Sequence, residues 1–158
     1  MSLPTQVPQP RAAIAVRVSA MRLEAPQVMS LELRAQAGHA LPQAAPGTHV
    51  DLQLPNGVVR PYSVVANDEG AYLLGVKREP GSQGGSAYVH ERLRVGDALQ
   101  VTSPRQKFPL ADDAKHSVLI AGGIGITPLL PMARALHASG RSWQLHYASP
   151  DLAAIPFA

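Results

Sequence analysis

Cysteine is absent from this chain of 158 residues, which excludes a disulfide framework, a thiol nucleophile and any cysteine-ligated zinc or iron–sulfur cluster. Charge is sparse as well: Asp, Glu, Lys and Arg make up 16% of a chain that is 46% apolar, a balance that belongs to a globular protein. The 14 Lys and Arg give a formal net charge of +3 but no basic run, and the nearest to clusters are Arg92 with Arg94 and Arg105 with Lys107. A nucleic-acid-binding face is therefore not expected, and the mild basicity reads as attraction for anionic cofactors and an acidic partner. No apolar run approaches the roughly 20 residues that cross a bilayer. Nor does Met1-Ser2-Leu3-Pro4 open a charged-then-apolar secretory pattern, so a cytoplasmic protein without membrane contact is expected. The histidines, at 39, 49, 90, 116, 137 and 146, show no metal-ligand spacing. His90-Glu91 lacks the second histidine, one turn on, that a zinc-protease helix needs, and no metal site is expected.

What is present divides in two. Residues 1–12, with Pro4, Pro8 and Pro10, read as a flexible arm. Residues 13–110 read as short strands between turn residues, over 14–23, 28–33, 49–54, 59–65, 71–78 and 98–102. Val50, Leu52 and Leu54 alternate with Asp51 and Gln53, and Pro55-Asn56-Gly57 supplies a tight turn. With one helix over 86–93, the pattern predicts a six-stranded antiparallel β barrel of Greek-key type. Residues 111–158 change style. An apolar strand without alternation over 117–121, of the kind covered on both faces of a parallel sheet, runs into glycines. A helix over 128–138 and a strand over 143–148 follow, giving the first β-α-β unit of a parallel α/β domain.

Two motifs carry chemistry. Gly122-Gly123-Ile124-Gly125-Ile126-Thr127-Pro128 puts glycines between a strand and a helix, exposing N–H groups and the positive end of the helix dipole to a phosphate. Thr127 is placed to cap the helix, with Pro128 at its first position. The loop is neither Gly-x-Gly-x-x-Gly nor a P-loop, which disfavours ATP hydrolysis, and a glycine turn that merely packs helix on sheet is equally compatible. In Arg60-Pro61-Tyr62-Ser63, strand alternation puts Arg60 and Tyr62 on one face and Ser63 on the other. A ring beside a cation offers a planar ligand a stacking surface and its phosphate a fork of donors. Taken alone, the same residues also fit an exposed strand with a barrel-packing tyrosine. Gly84-Gly85-Ser86, opening the first helix, is a second phosphate cradle or an ordinary glycine turn.

Taken in order, Arg-x-Tyr-Ser, Gly75-Val76-Lys77, Gly84-Gly85-Ser86, Ser103-Pro104-Arg105 and the glycine loop resemble the ferredoxin–NADP reductase superfamily. The nearest branch is that of phthalate dioxygenase reductase and vanillate demethylase reductase, and the resemblance runs from about Val16 to Asp151. It implies that Arg60 pairs with a flavin phosphate, Tyr62 lies against the isoalloxazine ring and Ser63 sits near its reactive nitrogen. It further implies that the backbone of Gly75, Val76 and Lys77 lines the flavin and that Gly84, Gly85 and Ser86 hold its phosphate. Gly122, Gly123, Gly125 and Thr127 would meet a nicotinamide nucleotide, Thr127 also approaching the flavin ring. Asp151 falls where such proteins read the adenosine ribose, and a carboxylate there repels a 2′-phosphate and favours NADH; a solvated loop aspartate fits equally well. An arginine common in the family just before it is replaced by Pro150.

The implied function is that of a flavoprotein oxidoreductase. It would pass electrons from NADH through FMN (with FAD as the alternative) to an oxygenase or ferredoxin-type acceptor, as the reductase component of an aromatic-ring oxygenase or demethylase. No side-chain acid, base or nucleophile is required, because the cofactors carry the chemistry. Two departures qualify this. Pro131 falls in the first turn of the second helix, where it would remove an early backbone bond and shift the helix start. The family's nucleotide domain also continues past the second strand, and this branch then adds a ferredoxin domain, whereas this sequence ends at Ala158. The expectation is a truncated nucleotide domain, or one whose exposed face a partner covers, a second copy included. The alternative function is a flavin-binding module without turnover.

Overall fold

A computed structural model of the protein describes residues 12–157. The expected flexible arm, save for residue 12, lies outside the described residues. Residues 13–106 form a closed barrel. Its strands are β1 (Ala13–Ala25), β2 (Val28–Ala35), β3 (Thr48–Gln53), β4 (Val59–Asp68), β5 (Ala71–Lys77) and β6 (Ala98–Thr102). Neighbours pair in the order β4-β5-β2-β1-β6-β3, and β3 pairs back to β4 to close the ring. The six-stranded antiparallel barrel read from the sequence is thus the one observed. A two-residue strand, β7 (Arg105–Gln106), is added on β3, where Arg105 Nη2 donates to Asp51 Oδ1.

Each strand forms for an identifiable reason. Ile14, Val16 and Val18 alternate inward on β1, and Val50 and Leu52 do so on β3. The β4–β5 hairpin turns on Glu69 and Gly70, both at positive φ (51° and 73°), the conformation that matches the twist of the paired strands. Inside the barrel, Leu31, Leu33, Leu52 and Leu74 are fully buried, and helix α1 (Gly85–Glu91) adds Val89 to the same core. Tyr72 is buried there too, its hydroxyl donating to the Pro42 carbonyl and so tethering the loop between β2 and β3.

The remainder is a parallel pair with one helix: β8 (His116–Gly122), a 3-10 turn (Gly123–Ile126), α2 (Leu129–Ala138) and β9 (Ser142–Ala148). Leu119 and Ala121 of β8 pack with Ile126, Met132 and Leu136 in a second core. Two expectations are corrected here. The strand after Lys115 alternates rather than being covered on both faces: Val118 and Ile120 are 52% and 74% exposed, because α2 packs on one face only among the described residues. Thr127 does not cap α2. Its backbone is helical (φ −56°, ψ −44°), its Oγ1 donates back to the Ile124 carbonyl at 2.9 Å, and Pro128 holds the cap position. Pro131 is the third residue of α2, which begins at Leu129, one residue past the expected start, in keeping with the shift its missing N–H implies.

The parallel unit meets the barrel along a tight seam. Arg134 Nη1 on α2 donates to the Val65 carbonyl of β4 at 3.3 Å. Gly47, at φ +82°, approaches so closely that a Cβ there would stand 1.8 Å from the Phe108 carbonyl oxygen and 2.6 Å from Met132 Cε.

Candidate functional site

The site arises because β4 changes partners. From Val59 to Ser63 it pairs with β3, and from Val64 to Asp68 with β5, with a bulge between Val64 and Ala66. β5 runs on through Gly75, Val76 and Lys77, paired there with β2. Between residues 60–63 of β4 and 75–77 of β5 the two strands therefore part, and a cavity of about 520 Å³ opens. That is ample for a mononucleotide-sized ligand.

Four consecutive residues of β4, Arg60, Pro61, Tyr62 and Ser63, reach the cavity. The alternation that sets Ser63 on the other face does not remove it from the site, because the opening runs along the strand's edge and takes residues from both faces. Across the gap stand Gly75 and Lys77. Val76 contributes no side chain, since that side chain is fully buried in the barrel core; its carbonyl meets His90 Nε2 at 3.0 Å. Tyr62 is half-buried, and burial pushes its phenol up against the opposing pull of Arg60, so it stays neutral at ordinary pH.

At one end Ser86 lines the cavity, while Gly84 and Gly85, just before it, lie outside the lining. Gly84 holds the left-handed conformation (φ 87°) that starts α1, and its carbonyl accepts from Asn56 Nδ2 at 2.9 Å. The Arg60 stem lies on Gly85: a Cβ there would stand 3.0 Å from Arg60 Cγ. The guanidinium donates to the Val59 carbonyl at 2.8 Å, and among the described residues no carboxylate lies within ion-pair distance of it. Ser86 Oγ accepts the Glu79 N–H at 3.0 Å and so fixes the loop at the cavity mouth. That loop adds Glu79, Ser82 and Gln83 to the lining, with Lys77 Nζ 3.9 Å from Glu79 Oε1.

The opposite wall comes from the glycine turn, through Ile124 and Thr127. Closure against the barrel is tight. A Cβ on Gly75 would stand 2.8 Å from Thr127 Cγ2 and 2.9 Å from Phe157 Cζ. Gly122, Gly123 and Gly125 lie outside the cavity and face open space, with nothing within 4 Å of a Cβ built on any of them. Asp151 also lies outside: its Oδ1 accepts the Ala154 N–H at 2.8 Å and caps a 3-10 turn (Leu152–Ala154).

Seven of the residues singled out in the sequence (Arg60, Tyr62, Ser63, Gly75, Lys77, Ser86 and Thr127) thus line one cavity. The sequence reading missed Glu79, Ser82, Gln83, Ile124 and, inside the Arg60–Ser63 motif, Pro61. The first three sit between two flagged motifs and Ile124 inside a third, so their position along the chain was the available signal. No described helix is long and apolar enough to cross a membrane.

A closed antiparallel barrel, joined to a parallel unit across a crevice of this kind, defines the ferredoxin reductase-like fold. No protein-family model matches the chain. It is 36% identical to the solved structure of phthalate dioxygenase reductase, with a TM-score of 0.87, over 92% of this chain and 46% of that one. That protein is described as a modular structure for electron transfer from pyridine nucleotides to a [2Fe-2S] centre. Among sequences, a vanillate O-demethylase oxidoreductase from a Pseudomonas species is 48% identical over 147 residues, covering 90% of this chain and 46% of that protein. Tetrachlorobenzoquinone reductase from Sphingobium chlorophenolicum is 43% identical over 142 residues, covering 88% and 44%. The chain belongs to the ferredoxin–NADP reductase superfamily, in the branch of the phthalate dioxygenase and vanillate demethylase reductases. It spans a little under half the length of these relatives.

Proposed function

We propose that the crevice holds FMN and that the chain is the flavin-carrying part of an NADH-dependent oxidoreductase, the reductase component of an aromatic-ring oxygenase or demethylase system. The observation that carries this reading is the parting of β4 from β5 opposite the glycine turn, with a guanidinium at one end that no carboxylate pairs among the described residues. A planar ring fits between strand edge and turn. Gly85 fits the phosphate end, because the Arg60 stem already fills the space a side chain would need. Vanillate O-demethylase oxidoreductase and phthalate dioxygenase reductase, matched over nine-tenths of this chain, support the same reading.

Flavin, when bound, accepts a hydride and gives up electrons singly, linking a two-electron donor to one-electron acceptors. This chain's residues bind and orient it. Arg60 takes the phosphate as a charge-assisted fork, with the N–H groups at Gly84, Gly85 and Ser86 beside it. Tyr62 supplies a neutral aromatic surface, Ser63 a hydroxyl for the ring's reactive edge and Val76 main chain only. Thr127 closes the far side, while Gly122, Gly123 and Gly125 border the open space where a nicotinamide nucleotide docks. Asp151, with Oδ2 outside its cap, disfavours a 2′-phosphate. On this reading residues 13–110 form the flavin domain and 111–158 the start of the nucleotide domain. The acceptor is an oxygenase or a ferredoxin-type centre.

The exposed side chains of Val118 and Ile120 favour a second reading: a flavin-binding module without turnover, whose uncovered sheet face self-associates. One experiment separates the two. NADH is added without oxygen to the flavin-loaded chain. Bleaching of the yellow colour at a catalytically useful rate supports the reductase, stable yellow protein supports the module, and a colourless protein that takes up no FMN or FAD contradicts both.

A further inference from the structure

We infer that Tyr147 is a positioning residue for nucleotide binding: its hydroxyl fixes which way the peptide between Gly123 and Ile124 faces. The inference rests on the proposal that the glycine turn receives a nicotinamide nucleotide. Tyr147 lies on β9, opposite Ala121 in the parallel register, and its half-buried ring packs on the second core with Trp143 and Leu145. From there its Oη donates to the Gly123 carbonyl at 2.9 Å. The next carbonyl along, that of Ile124, is held by the Thr127 N–H at 3.1 Å and Thr127 Oγ1 at 2.9 Å. Two successive carbonyls are thus tied back to the protein.

On the proposed reading the nucleotide docks beside this turn, whose opening N–H groups have no acceptor within it. Gly123 (φ +51°) is the weak point, because glycine passes between left- and right-handed conformations at little cost and no neighbour packs on it from outside. A flip of the Gly123–Ile124 peptide would turn a carbonyl dipole toward an anionic diphosphate and bury the Ile124 N–H. The phenol opposes that flip. Burial pushes its pKa up, so it remains a donor at neutral pH.

Tyr147→Phe removes the hydroxyl and keeps the ring. NADH binding is read by energy transfer from Trp143, the one tryptophan, to the nicotinamide, which needs no turnover. The variant is expected to bind NADH about 3- to 10-fold more weakly, the worth of one neutral hydrogen bond. Its FMN affinity should match that of the unaltered chain, and its melting temperature should fall by no more than about 4 °C, the loss of one hydrogen bond. Equal NADH affinity in both proteins would overturn the inference. So would a parallel loss of NADH affinity, FMN affinity and melting temperature, which a purely structural tyrosine gives. If the unaltered chain itself bound no NADH, the nucleotide reading of the turn would fall and the inference with it, a result distinct from matched affinities.

Discussion

At the scale of single residues, the Arg60 guanidinium and the glycine beneath it decide how the crevice behaves. Arg60→Ala is expected to weaken FMN retention roughly 10- to 100-fold, the range for a hydrogen bond to a charged group. Asp151→Ala, outside the cavity and capping a 3-10 turn, should leave retention unchanged. Equilibrium dialysis of both variants checks this, and equal losses would contradict the assignment. Gly75→Ala forces a methyl group to within 3 Å of Thr127 and Phe157, so it should loosen the crevice wall and lower FMN affinity with the barrel still folded. The residue types at the site were legible because motif order confines them. What was not legible was which groups are already engaged: Ser86 Oγ holds Glu79, Thr127 Oγ1 holds Ile124, and Val76 is buried in the barrel core with its carbonyl against His90. Those engagements are long-range or conformational, and periodicity does not encode them.

At the scale of elements, the strands were read correctly because buried alternation and glycine turns are local signals, as on β3 and at the Glu69-Gly70 hairpin. The partner exchange of β4 was invisible, since register is settled by the closed barrel and not by any one strand. The two-residue β7 was missed for the same reason: it exists through its pairing with β3. Two outcomes belong here. Gly47→Ala puts a methyl group into the Phe108 carbonyl at a left-handed position, so it should cost more than about 2 kcal/mol and lower the melting temperature by at least about 4 °C in calorimetry. Tyr72, which tethers the β2–β3 loop, has its phenol pushed by burial from 10.0 to about 12. The folded state therefore holds this proton more tightly than the unfolded chain does, and that stability is complete below pH 10 and lost as pH rises through about 12. Urea midpoints should fall between those values, and less steeply in Tyr72→Phe.

At the scale of the whole molecule, a closed barrel and a parallel pair enclose one crevice, and the pair leaves Val118 and Ile120 to solvent. If that face self-associates, sedimentation should show mass rising with concentration, and Ile120→Lys should abolish the rise; a concentration-independent monomer would count against it. The seam at Gly47, Arg134 and Gly75 sets the crevice width, and no local signal in the sequence marks it. The most direct test of the central claim is diffraction from crystals soaked in riboflavin 5′-phosphate. Difference density for the ring between the edge of β4 and Thr127, with the phosphate against Arg60 and Gly85, is the predicted result. Density elsewhere, or a crevice that stays empty while the ligand saturates the crystal, would contradict it.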